Sequence, residues 1–293
     1  MQSFVIYQDG AIGSREQADA LGDKTMAIAE RLGHLGAIFM VLSDVVREHA
    51  SHGRMDAVER TSRLIIDVCE RGGLPWLYVG HLYAGLAAHW RGDADAAETE
   101  LRRAVELEPP GAYSGQSAAD LALHLAQAGR ADEVRTLLEQ YRPSFPAGEG
   151  RSGIGSWNCL LGIMEALYVA GLRDEAAALA PRVDEALALG PEWIAFDGRL
   201  LGTRAGVAAA VLGRWDDAER HFSAALERAL RMPSELEAAD VRRLHARVLI
   251  DRGRPEDAAR ADELLGRAGD TYREFGMSGY VAEVEGLLGA TTR

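Results

Sequence analysis

The decapeptide GRWDDAERHF, residues 213–222, has five counterparts along the chain: GRMDAVERTS from Gly53, GDADAAETEL from Gly92, GRADEVRTLL from Gly129, GLRDEAAALA from Gly171 and GRPEDAARAD from Gly253. The leading glycines stand 39, 37, 42, 42 and 40 residues apart. Each is followed three positions later by an acid: Asp56, Asp95, Asp132, Asp174, Asp216 and Glu256. A feature repeating at this period means that the chain is built from like units of about forty residues, none able to bury its apolar face without a neighbour.

The unit is a helical hairpin. Ahead of each glycine runs a helix-period apolar segment, such as LLGIMEALYVA (160–170) or TRAGVAAAVL (203–212), and a second follows it. Glycine ends a helix in the left-handed conformation and lets the chain reverse within a few residues. The acid then falls at the cap or first turn of the next helix, where free amides and the dipole stabilise it by roughly 0.5 to 1 kcal/mol. Pro255 suits the same place, because a first-turn proline gives up no needed amide. Composition agrees: apolar residues make up 47% of the 293-residue chain and aromatics only 6%, and Val, Ile and Thr never cluster into strand-like runs. The fold expected is all-α, an α-α superhelix of about six hairpins, with a half-repeat before them and a capping helix after them.

Small residues recur at set offsets. Ala97, Ala176, Ala218 and Ala258 lie five past the glycine, Ala104 and Ala225 twelve past, and Gly85 and Gly206 seven before, where they allow close helix approach. Leu101, Leu138 and Phe222, nine past, fill the space between hairpins, and Pro109 and Pro146, seventeen past, end their helices. Ser62 and Ala180 take the bulky position in the first and fourth copies, and in the last copy three extra residues restore Ala261, Leu265 and Ala268 to register.

This combination resembles the tetratricopeptide repeat, most closely in HLYAGLAAHWRGDADAAETELRRAVELEPP (81–110) and GTRAGVAAAVLGRWDDAERHFSAAL (202–226). The units are longer than the family's usual thirty-four residues. The ending ADELLGRAGDTYREFGMSGYVAEVEGLL resembles the helical region at the carboxyl end of large ATP-binding LuxR/MalT-type transcription regulators and of bacterial cyclase-ATPase fusions. Hairpins are expected at about 34–71, 74–108, 115–142, 153–189, 192–231 and 234–275 in one array over residues 1–293, with a closing helix at 278–289. The segment REQADALGDKTMAIAERLG (15–33) reads as the second helix of a half-repeat, its partner lying upstream of Met1 or replaced by SFVIY. Such an opening is that of a segment cut from a longer protein.

Several functions lack their minimum parts. A net charge of −13, with arginines interleaved among acids, does not provide the clustered cations that bind nucleic acid. Cys69 and Cys159, 90 residues apart and without a CxxC or neighbouring histidines, indicate neither a disulfide framework nor zinc. The start has no signal-peptide pattern and no apolar run is long enough for a membrane span, so a soluble cytoplasmic chain is expected. No GxxxxGK[ST], HExxH or GxSxG occurs. The GxGxxG at Gly148, Gly150 and Gly153 follows a proline-broken helix end rather than a strand, and reads as a flexible inter-repeat loop. His49 and His52, three apart, read as helix-end residues favourable to the dipole rather than as a metal pair. Trp76, Trp90, Trp157 and Trp193 read as wedges between hairpins, with stacking on a ligand as the alternative. No catalytic residue, metal or cofactor is expected.

The resemblance implies a concave wall lined by the first helices. The family's groove offsets, ten, six and three residues before the glycine, fall here on Ser43, Arg47, Leu82, His89, Glu165, Tyr168, Thr203, Arg243 and Arg247. Arg243 and Arg247 would form a basic spot able to meet a carboxylate or phosphate. The function implied is a non-enzymatic scaffold for a protein, a peptide or a small inducer, as the sensory or regulatory module of a bacterial transcription or signalling regulator. The alternative is the regulatory fragment of a cyclase or ATPase whose catalytic domains lie elsewhere. Self-association into a homodimer is left open.

Overall fold

The computed structural model describes residues 15–111, 113–146, 153–189, 199–231 and 234–291, with side chains from residue 24 to residue 289. Every regular element among them is a helix. After α1 (Arg15–Leu32), the helices follow in pairs: α2 (Leu35–Ser51) with α3 (Met55–Gly72), and α4 (Leu77–Arg91) with α5 (Ala94–Leu107). Next come α6 (Gln116–Gln127) with α7 (Ala131–Tyr141), and α8 (Ile154–Val169) with the shorter α9 (Arg173–Leu179) and α10 (Pro181–Ala188). The last pairs are α11 (Leu201–Val211) with α12 (Trp215–Arg231), and α13 (Glu235–Arg252) with α14 (Ala258–Glu274), before a final α15 (Ser278–Thr291).

The six repeated glycines end their first helices at φ values from 66° to 80°, the left-handed region that a side chain resists. The acids that follow lie in the first turn of the next helix rather than at the cap itself. At one copy the cap is filled by the neighbouring Asp93, whose carboxylate accepts the Ala96 amide at 3.2 Å. Pro181 divides the fourth second helix into α9 and α10, because its ring nitrogen has no proton to donate.

Inside each hairpin the small positions are filled by large neighbours. A Cβ on Gly85 would stand 2.7 Å from Leu101 Cγ, and one on Gly206 would stand 2.8 Å from the Phe222 ring. Leu101, Leu138 and Phe222 are all buried, each stabilising the fold by roughly 2 to 3 kcal/mol. Ser62 is buried too, its hydroxyl donating to the Val58 carbonyl at 2.7 Å.

The pairs coil into an all-α superhelix whose ends meet. α4, α6, α8, α11 and α13 pack each against the next, and α15 lies against both α13 and α4, so these helices form a closed circuit. α13 also touches α2. Phe275 packs its ring on Gly53, His52 Nδ1 meets Glu235 Oε2 at 2.8 Å, and the Ser278 hydroxyl donates to the Arg91 carbonyl. The physical reason lies in the first helices. In α8 every residue from Asn158 to Val169 is buried, and a helix apolar over nearly its whole surface, Asn158 and Glu165 apart, must be covered on its concave side as well.

Candidate functional site

Residues from the first helices converge on the centre of this circuit. Glu165, on α8, accepts Arg199 Nη2 at 2.8 Å and Arg204 Nε at 3.2 Å. Arg199 also approaches Glu237 Oε2 at 3.5 Å and Asp240 Oδ2 at 3.4 Å, both on α13. Glu237 Oε1 accepts the Leu200 amide at 3.0 Å and the Thr203 hydroxyl at 2.6 Å. Asp240 Oδ1 accepts the Tyr272 hydroxyl at 2.6 Å and Arg243 Nη2 at 3.3 Å. Arg243, fully buried, donates through Nη1 to Glu283 of α15 at 2.9 Å.

The rest of the cluster continues toward α4 and α6. Gln127 Nε2 donates to Glu283 at 3.1 Å, while the His89 and His124 Nδ1 atoms meet at 3.0 Å. Tyr280, on α15, stacks on Tyr272 with ring centroids 5.0 Å apart, and the Arg243 guanidinium carbon lies 4.6 Å from its ring centre.

Burial sets the charge states. It pushes Glu237 up to about 8, because Arg199 only partly offsets it and Asp240 adds to it. Burial acts on Glu165 in the same direction, but Arg199 and Arg204 outweigh it and hold that carboxyl below its ordinary value. His89 is driven down to about 3, first by burial and then by His124 and Arg243. At neutral pH the centre therefore holds a protonated Glu237 and a neutral His89 among arginines and ionised Glu165. Its groups hold one another, an arrangement suited to fixing helices rather than to moving protons.

The nine groove positions taken from the repeat offsets are all buried or partly buried. Leu82 is core, and Ser43 donates its hydroxyl to the Phe39 carbonyl at 2.9 Å. Arg47 pairs with Asp44 at 2.5 Å, and Thr203 and Glu165 are engaged as above. Tyr168 is buried, its hydroxyl donating to Asp251, which Arg173 also pairs at 2.6 Å. The basic spot expected at Arg243 and Arg247 is neutralised: Arg247 meets Glu283 at 3.4 Å and donates to the Val169 carbonyl at 2.6 Å. The offsets missed Arg199, Arg204, Glu237, Asp240, Tyr280 and Glu283. Glu237, Asp240 and Arg243 do carry a signal, three charged residues at i, i+3, i+6 along one face of α13.

The remaining candidates have structural roles. Trp76 stacks on Phe39 of α2 at 4.7 Å, a wedge between hairpins, and Arg182 lies 5.8 Å from the Trp157 ring. Burial pushes the Cys69 thiol up to about 11 and raises Cys159 further, which keeps both unreactive. Gly148, Gly150 and Trp193 lie outside the described residues. Among the described residues no group of three or more His, Cys, Asp and Glu is placed to hold a metal ion. A cavity of about 240 Å³ between α3, α4 and α5 is rimmed by Glu59, Arg63, Arg91 and Glu100, and Glu59 pairs with both arginines. No helix among the described residues is long and apolar enough to cross a membrane.

No family model matches the chain, and no curated protein does. Among solved structures, the chain is similar to a tetratricopeptide repeat protein from Parabacteroides merdae. The two are 13% identical, the match covers 87% of this chain and 99% of that one, and the TM-score is 0.33.

Proposed function

We propose that the chain is a single repeat array that works as a non-enzymatic interaction scaffold, in a cytoplasmic sensory or regulatory role, taking a protein or peptide as its partner. The observation that carries this reading is the state of the central carboxylates. Glu165, Asp240 and Glu283 each accept a guanidinium, and Glu237 is held protonated by burial, so none stands as a base beside a nucleophile. The same groups link α6, α8, α11, α13 and α15 of the circuit, the kind of fixed support that a binding surface requires.

A thermal-shift screen of the whole chain against a mixed peptide library, nucleotides and small metabolites tests the reading. A peptide at a hundred times its Kd stabilises the native state by about 2.7 kcal/mol. For a chain of this size that raises Tm by roughly 5 °C. Turnover of a nucleotide by this chain alone would overturn the non-enzymatic assignment.

A further inference from the structure

We infer that the inward wall formed by α4, α6, α13 and α14 is a helix-binding site, occupied here by the chain's own α15, and that its external partner is an amphipathic helix carrying an aromatic residue followed three positions later by a carboxylate. This deepens the scaffold reading and rests on it.

The footprint of α15 defines that chemistry. Tyr280 inserts between Tyr272 and His89, at 5.0 and 5.6 Å between ring centres, beneath the Arg243 guanidinium. Glu283, one turn later, takes Arg243, Arg247 and Gln127 together. Val284 closes the apolar stripe: a Cβ on Gly269 of α14 would stand 3.3 Å from Val284 Cγ1. An aromatic ring, then a carboxylate, then a branched apolar residue is therefore what this wall recognises. The groove positions His89, Arg243 and Arg247 all contribute to it.

α15 is also built to leave. Among its residues with described side chains only Tyr280 and Val284 are buried, whereas α8 and α11 are buried along nearly their whole length. Three glycines, Gly279, Gly286 and Gly289, weaken it as a helix. It follows α14 through the short turn at Phe275, Gly276 and Met277, where Gly276 takes a φ of 66°. Its first turn is pinned by one side-chain bond, from Ser278 to the Arg91 carbonyl. Elements with few buried contacts open first.

The test uses the full chain, hydrogen exchange, and a fluorescein-labelled peptide of residues 277–291 added in trans. The peptide binds only the fraction of molecules whose wall is vacant, so its apparent Kd falls by the factor by which α15 opens. Glu283→Gln in the chain is expected to speed α15 exchange at least tenfold and to tighten the wild-type peptide by the same factor. Ser278→Ala, outside the centre, gives a smaller effect in the same direction and covers the case in which Glu283→Gln perturbs folding. Peptides carrying Tyr280→Ala or Glu283→Gln bind at least tenfold more weakly. Protection of α15 equal to that of α8 in both variants, or peptide binding indifferent to those substitutions, overturns the inference while leaving the scaffold reading to the library screen. Free opening of α15 with the 277–291 peptide not bound likewise overturns the inference alone.

Discussion

Arginine and carboxylate pairs occur in two regions of this molecule with opposite consequences. On the outside, the second helices are linked by exposed pairs: Arg102 meets Glu98 and Glu133 at 2.8 Å each, Arg135 meets Glu175 at 2.8 Å, and Arg214 meets Asp184 at 2.9 Å. At the centre, Arg199, Arg204 and Arg243 meet Glu165, Glu237, Asp240 and Glu283 almost out of reach of water. An exposed pair exchanges one good hydration shell for modest attraction, while a buried pair commits each partner to the other. The outer pairs tune contacts between neighbouring hairpins, and the inner ones decide which circuit of helices is allowed.

The sharpest break of that comparison is Arg243→Ala. It opens a space once filled by a fully buried guanidinium and leaves Asp240 with Arg199 at 3.4 Å and the Tyr272 hydroxyl, and Glu283 with Arg247 at 3.4 Å and Gln127. A loss of about 3 to 5 kcal/mol is expected. Urea unfolding at pH 7 measures it. A loss below about 1 kcal/mol would place the centre with the outer ladder and remove the distinction.

The outer region was legible because it follows local rules. Six glycines with acids three residues on specify turns and first-turn acids that need no knowledge of distant contacts, and Leu101 and Phe222 meet the glycines that their offsets assign. The centre was legible only in part. The offsets fall on Glu165, Thr203 and Arg243 of the centre, but Arg199 precedes α11 outside any repeat position, and Tyr280 and Glu283 come from the helix beyond the last repeat. Closure itself depends on contacts between the ends of the chain, such as Phe275 on Gly53. One local hint was how little polar surface LLGIMEALYVA carries, Glu165 being its one charged residue, which an open wall would have left wet.

A second break compares two of the repeated turns. Gly129 has open space around a would-be Cβ, so Gly129→Ala meets only the left-handed backbone penalty, about 1 to 2 kcal/mol. At Gly53 that Cβ would stand 2.0 Å from Phe275 Cγ, so Gly53→Ala adds overpacking of roughly 1 to 3 kcal/mol and loosens the closure. Paired chemical melts of the two variants check this. Equal losses would mean that the contact of Phe275 with the first turn contributes nothing to the native state.

The centre should also be visible in pH dependence. Glu237 keeps its proton in the folded chain up to about pH 8, whereas an unfolded glutamate releases it near pH 4.3. Between those values the folded state binds more protons, so this group makes stability fall as pH rises, by at most about 1.4 kcal/mol per unit. His89 acts in the opposite direction. Neutral when folded down to about pH 3, it costs stability as pH falls below about 6.5, where the unfolded imidazole takes up a proton. Glu237→Gln mimics the protonated carboxyl, so the stability difference between the variant and the parent should grow in the variant's favour from pH 5 to pH 8. A difference independent of pH would mean that Glu237 is ionised in the folded chain.

The smallest effect lies in the ladder. Arg102 is half-exposed and bridges Glu98 in its own helix to Glu133 in α7, and the second link joins neighbouring hairpins. Both partners keep Arg130 when Arg102 is lost: it contacts Glu98 and, at 2.5 Å, Glu133. Arg102→Ala should therefore cost about 0.2 to 1 kcal/mol, and the difference should shrink between low salt and 1 M salt as the pair is screened. Arg243→Ala, measured over the same salt range, should keep most of its effect, because the guanidinium it removes is fully buried. If both effects fade alike with salt, the centre is wet, and the contrast between the two regions reduces to one of position.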